Sequence, residues 1–153
     1  MQGYAAPSTF TITLASLAAA SAREGLLFDN TGTKYDDIMV ELSVGVLTAT
    51  TADEQGVYIY IAGSVDGTNF TSPALGTDAA ITLGTNALKM AAFVPVPVGV
   101  ASMYYCNIGS VAQIFGGNLP IKTSIIYYNK ANGALNGTEG NFLKTVRGIY
   151  YTT

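Results

Sequence analysis

The stretch Ile38-Met39-Val40-Glu41-Leu42-Ser43-Val44-Gly45-Val46 alternates an aliphatic residue with a different, mostly polar or small, residue. Successive side chains of a strand point to opposite faces, so Ile38, Val40, Leu42, Val44 and Val46 form one apolar face of a half-buried β-strand. Working outward, Ser8-Thr9-Phe10-Thr11-Ile12-Thr13-Leu14 repeats the pattern, with Phe10, Ile12 and Leu14 on one face and threonines on the other. Val57-Tyr58-Ile59-Tyr60-Ile61 is apolar or amphipathic on both faces, which predicts a central strand or one lying under a neighbour. Further strands are expected over 88–94, 101–108, 122–129 and 142–151, each rich in β-branched or aromatic residues.

Between these runs stand turn-forming clusters: Asp29-Asn30-Thr31-Gly32, Asp66-Gly67-Thr68-Asn69, Gly116-Gly117-Asn118, Asn132-Gly133 and Asn136-Gly137. Strands at this spacing predict an all-β fold, an antiparallel β-sandwich or jelly roll, with at most a short helical turn near residues 17–23. The 153 residues suffice for one domain, with residues 1–7 expected as an N-terminal arm. Pro95 and Pro97 cannot donate to a ladder, so the segment around them must be an edge, a bulge or an arm laid across a neighbouring subunit.

Charge is scarce. Only 11% of the residues are Asp, Glu, Lys or Arg, against about 25% in an ordinary soluble domain, and the mean hydropathy is +0.33. Uncharged exteriors of this kind usually mark association. The chain has no His, which removes Ser/His and Cys/His catalysis, His-ligated zinc and an imidazole proton shuttle. The single cysteine, Cys106, sits in an apolar strand with no cation beside it in sequence, so an inert thiol is expected. The seven cations are scattered and the net charge is −3, which argues against nucleic acid as a partner.

Other motifs reduce to structure. Asp66-Gly67-Thr68-Asn69 lacks the downstream ligands of a calcium loop and reads as a turn. Asp36 and Asp37 are adjacent on a strand and point apart. No phosphate-cradling glycine signature is present, and nothing in the pattern pairs two carboxylates for hydrolysis. No enzyme activity, cofactor or metal is therefore expected. The uncharged first 22 residues lack a basic leader and carry Pro7 and a threonine alternation, so a signal peptide is not expected. The uncharged stretch 90–121 is broken by Pro95, Pro97 and Gly99, which argues against a membrane span.

Several of these segments together resemble a known class. They are Thr11-Ile12-Thr13-Leu14-Ala15-Ser16-Leu17-Ala18 with Ala22-Arg23-Glu24 and Asp29-Asn30, then Val57-Tyr58-Ile59-Tyr60-Ile61-Ala62-Gly63-Ser64-Val65-Asp66-Gly67-Thr68-Asn69-Phe70-Thr71. Phe115-Gly116-Gly117-Asn118-Leu119-Pro120 and Thr138-Glu139-Gly140-Asn141-Phe142 continue the pattern. In order and spacing they resemble the small β-rich virion structural proteins of tailed bacteriophages, with residues 72–110 carrying little of the likeness. The resemblance implies a non-enzymatic component located in the virion: a capsid decoration (cement) protein that binds the major capsid protein, or a tail or neck/collar component. A homo-oligomer is expected: a trimer at a three-fold position for the decoration protein, which is favoured, or rings or stacks with heterologous contacts for the tail or neck component. Tyr4, Pro7, Phe93, Val94, Pro95, Val96, Pro97 and Val98 are the expected interface residues, because their segments are uncharged. A third reading is a carbohydrate-binding module built on tyrosines, weakened by the absence of Trp.

Overall fold

The computed structural model describes residues 1–32, 34–46, 55–84, 88–96 and 102–152. Ten strands follow in order among them: β1 (Gln2–Tyr4), β2 (Ser8–Thr9), β3 (Ser21–Asp29), β4 (Asp37–Val46), β5 (Gly56–Ser64), β6 (Ala79–Ile81), β7 (Lys89–Pro95), β8 (Ser102–Ile108), β9 (Lys122–Asn129) and β10 (Lys144–Tyr151). One sheet runs β1-β10-β4-β8 with β2 also on β10, and the other runs β6-β3-β9-β5-β7. All pairings are antiparallel.

The pairing is nested. β2 lies on β10, β3 on β9, β4 on β8 and β5 on β7. A chain paired this way is one long antiparallel ribbon folded back between β5 and β7. Rolling that ribbon brings β10 beside β4 and β9 beside β5, which is the jelly roll. The fold class expected from the alternation is therefore the one found.

The two sheets face each other across the core. Ile38, Val40, Leu42, Val44 and Val46 of β4 are at most 2% exposed, and they meet Val57, Ile59 and Ile61 of β5 and Ile125 and Tyr127 of β9. Phe10, Ile12 and Leu14 are buried as their alternation predicts, although only residues 8–9 of that run pair as a strand. At Gly25 a Cβ would strike the carbonyl oxygen of Thr11, so the 10–14 segment can cross β3 this closely only over a glycine.

A second, smaller apolar cluster lies on the outer face of the β6-β3-β9-β5-β7 sheet. Ala62 and Ile126 are covered there by Phe70, Ala74, Ile81, Leu83 and Leu88, from the long connection between β5 and β7. Two acids lash that connection down. The Glu24 carboxylate, 1% exposed, accepts from the Leu75 N–H (2.9 Å), the Gly76 N–H (3.2 Å) and the Ser124 hydroxyl (3.3 Å). Asp78 accepts from the Thr13 N–H, the Thr13 hydroxyl and Arg23 Nε (3.1, 2.5 and 2.6 Å).

One expectation is corrected. No helical turn forms over 17–23: Ser16 and Ala20 adopt left-handed φ values of 57° and 58°, and residues 21–29 are drawn into β3 along the whole of β9. The ladder overrides the helix propensity of the alanines. The short helix lies instead at α1 (Val111–Ile114), capped by the Ser110 hydroxyl. Residues 1–7, expected as an N-terminal arm, run along the sheet: β1 pairs with β10 through Tyr4↔Ile149 and the Ala5 N–H donates to the Gly148 carbonyl.

Candidate functional site

The acidic motifs resolve into local supports. One Asp66 oxygen accepts from the Thr68 and Asn69 N–H groups and the Ser64 hydroxyl, and the other from Asn69 Nδ2. These bonds hold its carboxyl far below the usual carboxylate range. Gly67, at φ +77°, makes the turn possible. Asp37 accepts from the Ser110 hydroxyl and the Ala112 N–H, fixing the start of α1, while Asp36 accepts from the Tyr151 N–H. Glu139 accepts from the Leu14 and Ala15 N–H groups and from Lys144 Nζ. Partial burial pushes the Glu139 carboxyl up, but these bonds outweigh it and leave its pKa lowered. Among the described residues no three His, Cys, Asp or Glu side chains gather as metal ligands, and no helix is long and apolar enough to cross a membrane. Cys106 is half-buried, and burial pushes its thiol up from the usual value.

The outer surface carries more information. Tyr58 on β5 faces Tyr128 on β9 and Phe93 on β7 in register, and Tyr60, two residues along β5, shares their face, so the four rings gather on the outer face of the sheet. Tyr58 lies 4.7 Å from Phe93 and 6.3 Å from both Tyr60 and Tyr128, ring centre to ring centre. Lys130 Nζ stands 5.6 Å over the Tyr58 ring. Burial, aided by its two tyrosine neighbours, raises the Tyr60 hydroxyl above its usual pKa. The result is a largely half-buried aromatic platform. It can stack on a planar or sugar ring, or pack against protein.

The expected interface residues divide between two surfaces. Tyr4, 52% exposed, and Pro7 border a groove of about 360 Å³ with Met39, Glu41, Thr145 and Arg147, on the outer face of the β1-β10-β4-β8 sheet. Phe93 belongs to the aromatic platform of the other sheet, and Pro95 is exposed at the end of β7. Val94 and Val96 point inward, each 5% exposed, and join the core, so their side chains are already covered within one chain. Pro97 and Val98 lie outside the described residues. Sequence reasoning took Tyr58, Tyr60 and Tyr128 as strand residues only, because their convergence depends on a register that no local pattern reveals.

No family model matches the chain, and no curated protein or solved structure matches it either.

Proposed function

We propose that this chain is a non-enzymatic virion structural protein, a capsid decoration protein that self-associates and clamps the shell of a tailed bacteriophage. Jelly rolls serve as viral capsid domains, lectins and cupins, so the fold by itself does not choose. The observation that carries the reading is the exterior. Tyr4, Leu75, Met90, Tyr105 and Tyr151 stand 52%, 70%, 58%, 73% and 66% exposed on a chain with 17 charged side chains. The 7597 Å² surface therefore carries about one charge per 450 Å². Burying apolar area against a lattice stabilises by roughly 25 cal/mol per Å² before association costs, and repetition multiplies weak contacts. The linear resemblance to phage virion proteins supports the setting.

The test is to locate the chain in particles assembled by the genome that encodes it, and to add the purified protein back to particles stripped of it. Saturable rebinding at a fixed copy number, with a higher disruption temperature for the shell, supports the decoration role. Density in the tail or neck assigns the chain there instead, and absence from the particle overturns the virion reading. The aromatic platform favours a second reading, a carbohydrate-binding module, which binding on a glycan array would support and a blank array would remove.

A further inference from the structure

The two sheets have four edges among the described residues, and three of them are blunted. β6 and β1 are three residues long. β7 begins at Lys89, ends at Pro95 and faces a register shift between Ile59 and Tyr60 of β5. Short strands, Lys, Pro and bulges are the devices by which proteins keep open edges from pairing with other chains. β8, Ser102-Met103-Tyr104-Tyr105-Cys106-Asn107-Ile108, has none of them. It spans seven residues without charge, Gly or Pro, runs in unbroken register on β4, and has no strand on its other side among the described residues.

The direction of its free backbone groups follows from β4. The Ser43 N–H donates to the Leu143 carbonyl on the β10 side at 3.0 Å. In an antiparallel ladder the residue next along points the other way, so Leu42 and Val44 bond toward β8, to Cys106 and Tyr104. The N–H and C=O groups of Met103, Tyr105 and Asn107 therefore point out of the sheet edge. Tyr105 is the middle of these three and is 73% exposed on the outer face. An open groove of about 670 Å³ bordered by Ala91, Asn107 and Ile108 lies beside the end of the strand.

From this edge we infer that β8 pairs antiparallel with β8 of a second copy about a twofold axis through Tyr105, joining two sheets into one. Tyr105 faces its own symmetry mate, and Met103 faces the Asn107 position of the other copy. Each facing pair exchanges both of its bonds, giving about six inter-chain N–H···O=C bonds. The absence of charge along β8 means that self-approach meets no like-charge repulsion, and an isologous contact needs no second surface. A threefold ring would need β8 to meet a different edge, and the others are blunted. The edge chemistry thus points to a twofold pair where the sequence reading expects a trimer. The inference stands apart from the virion proposal, since it concerns the chain in solution.

Light scattering on size-exclusion peaks of the full chain and two variants tests it. Wild type is expected at about twice the 15.9 kDa chain mass at micromolar concentration. Tyr105→Lys and Tyr105→Glu each place like charges across the axis and raise the dimer dissociation constant at least about tenfold. Mixing the two variants restores a heterodimer, which misfolded chains could not do. A monomeric wild type, an undiminished dimer in both variants, a trimeric mass, or a mixture that stays monomeric overturns the pairing. A dimer that fails to bind stripped particles leaves the pairing intact and counts against the decoration role alone.

Discussion

Glu24→Ala removes the acceptor that fastens the β5–β7 connection to the sheet beneath it. The Leu75 and Gly76 N–H groups lose their partner, while Ser124 keeps its bond to the Gly25 carbonyl at 3.0 Å. Two unsatisfied backbone donors cost about 1–3 kcal/mol each, and the lost methylenes add to that. Relief from keeping a carboxylate away from water offsets part of the loss. The net destabilisation is about 3 kcal/mol, and at 2–4 °C per kcal/mol for a chain of this size Tm falls by about 6–12 °C. Glu24→Gln keeps the volume and one acceptor oxygen, so it loses about half as much. Thermal melts give the size of the effect, and residue-resolved amide exchange gives its place: Leu75 and Gly76 should lose protection while β9 keeps it. Unchanged protection at both amides, with Tm within about 2 °C of wild type, refutes the clamp.

Three further outcomes follow from the packing. Gly25→Ala drives a methyl into the backbone of residue 11, where nothing can rotate away, and costs about 3 kcal/mol; a melt matching wild type contradicts the crossing. The Tyr127 hydroxyl is buried with no hydrogen-bond partner among the described residues, so Tyr127→Phe is neutral or stabilising by up to about 1 kcal/mol; a lower urea midpoint goes against that. Partial burial pushes the Asp78 carboxyl up, but the bonds from Arg23 and Thr13 outweigh it and hold its pKa at about 2, against 3.8 when unfolded. A depressed carboxylate pKa stabilises the folded state above pH 3.8, and that contribution fades as pH falls through about 2. Solvent reaches the pair, so the effect is about 1 kcal/mol. Urea midpoints measured from neutral pH down to pH 2 should fall, with a shallower fall in Asp78→Asn; equal slopes count against the account.

How much of this could be read beforehand depended on how many layers cover each strand. β4 has one face on the core, so its alternation was plain, and β9 was bounded correctly at Lys122–Asn129. β3 escaped because Ser21-Ala22-Arg23-Glu24-Gly25-Leu26-Leu27 has no period of two: the loop folded over its outer face buries Ala22 and Glu24 as well. Nothing local in the sequence marks Glu24, and only the fold reveals that two backbone donors 51 and 52 residues away converge on it. The alternation did contain one answer that went unused. With Pro95 outward on β7, Val94 and Val96 had to face the core. The aromatic platform and the open edge of β8 were illegible, because each depends on which strands become neighbours.

The central claim is that this charge-poor exterior, and the β8 edge above all, is covered by another copy of the chain. Amide exchange at Met103, Tyr105 and Asn107, followed across a range of protein concentrations, tests it most directly. The account predicts slow exchange at all three in concentrated solution, speeding up together on dilution while Tyr104 and Cys106, bonded to β4, stay protected throughout. Fast exchange at the three odd-numbered positions at every concentration would contradict it.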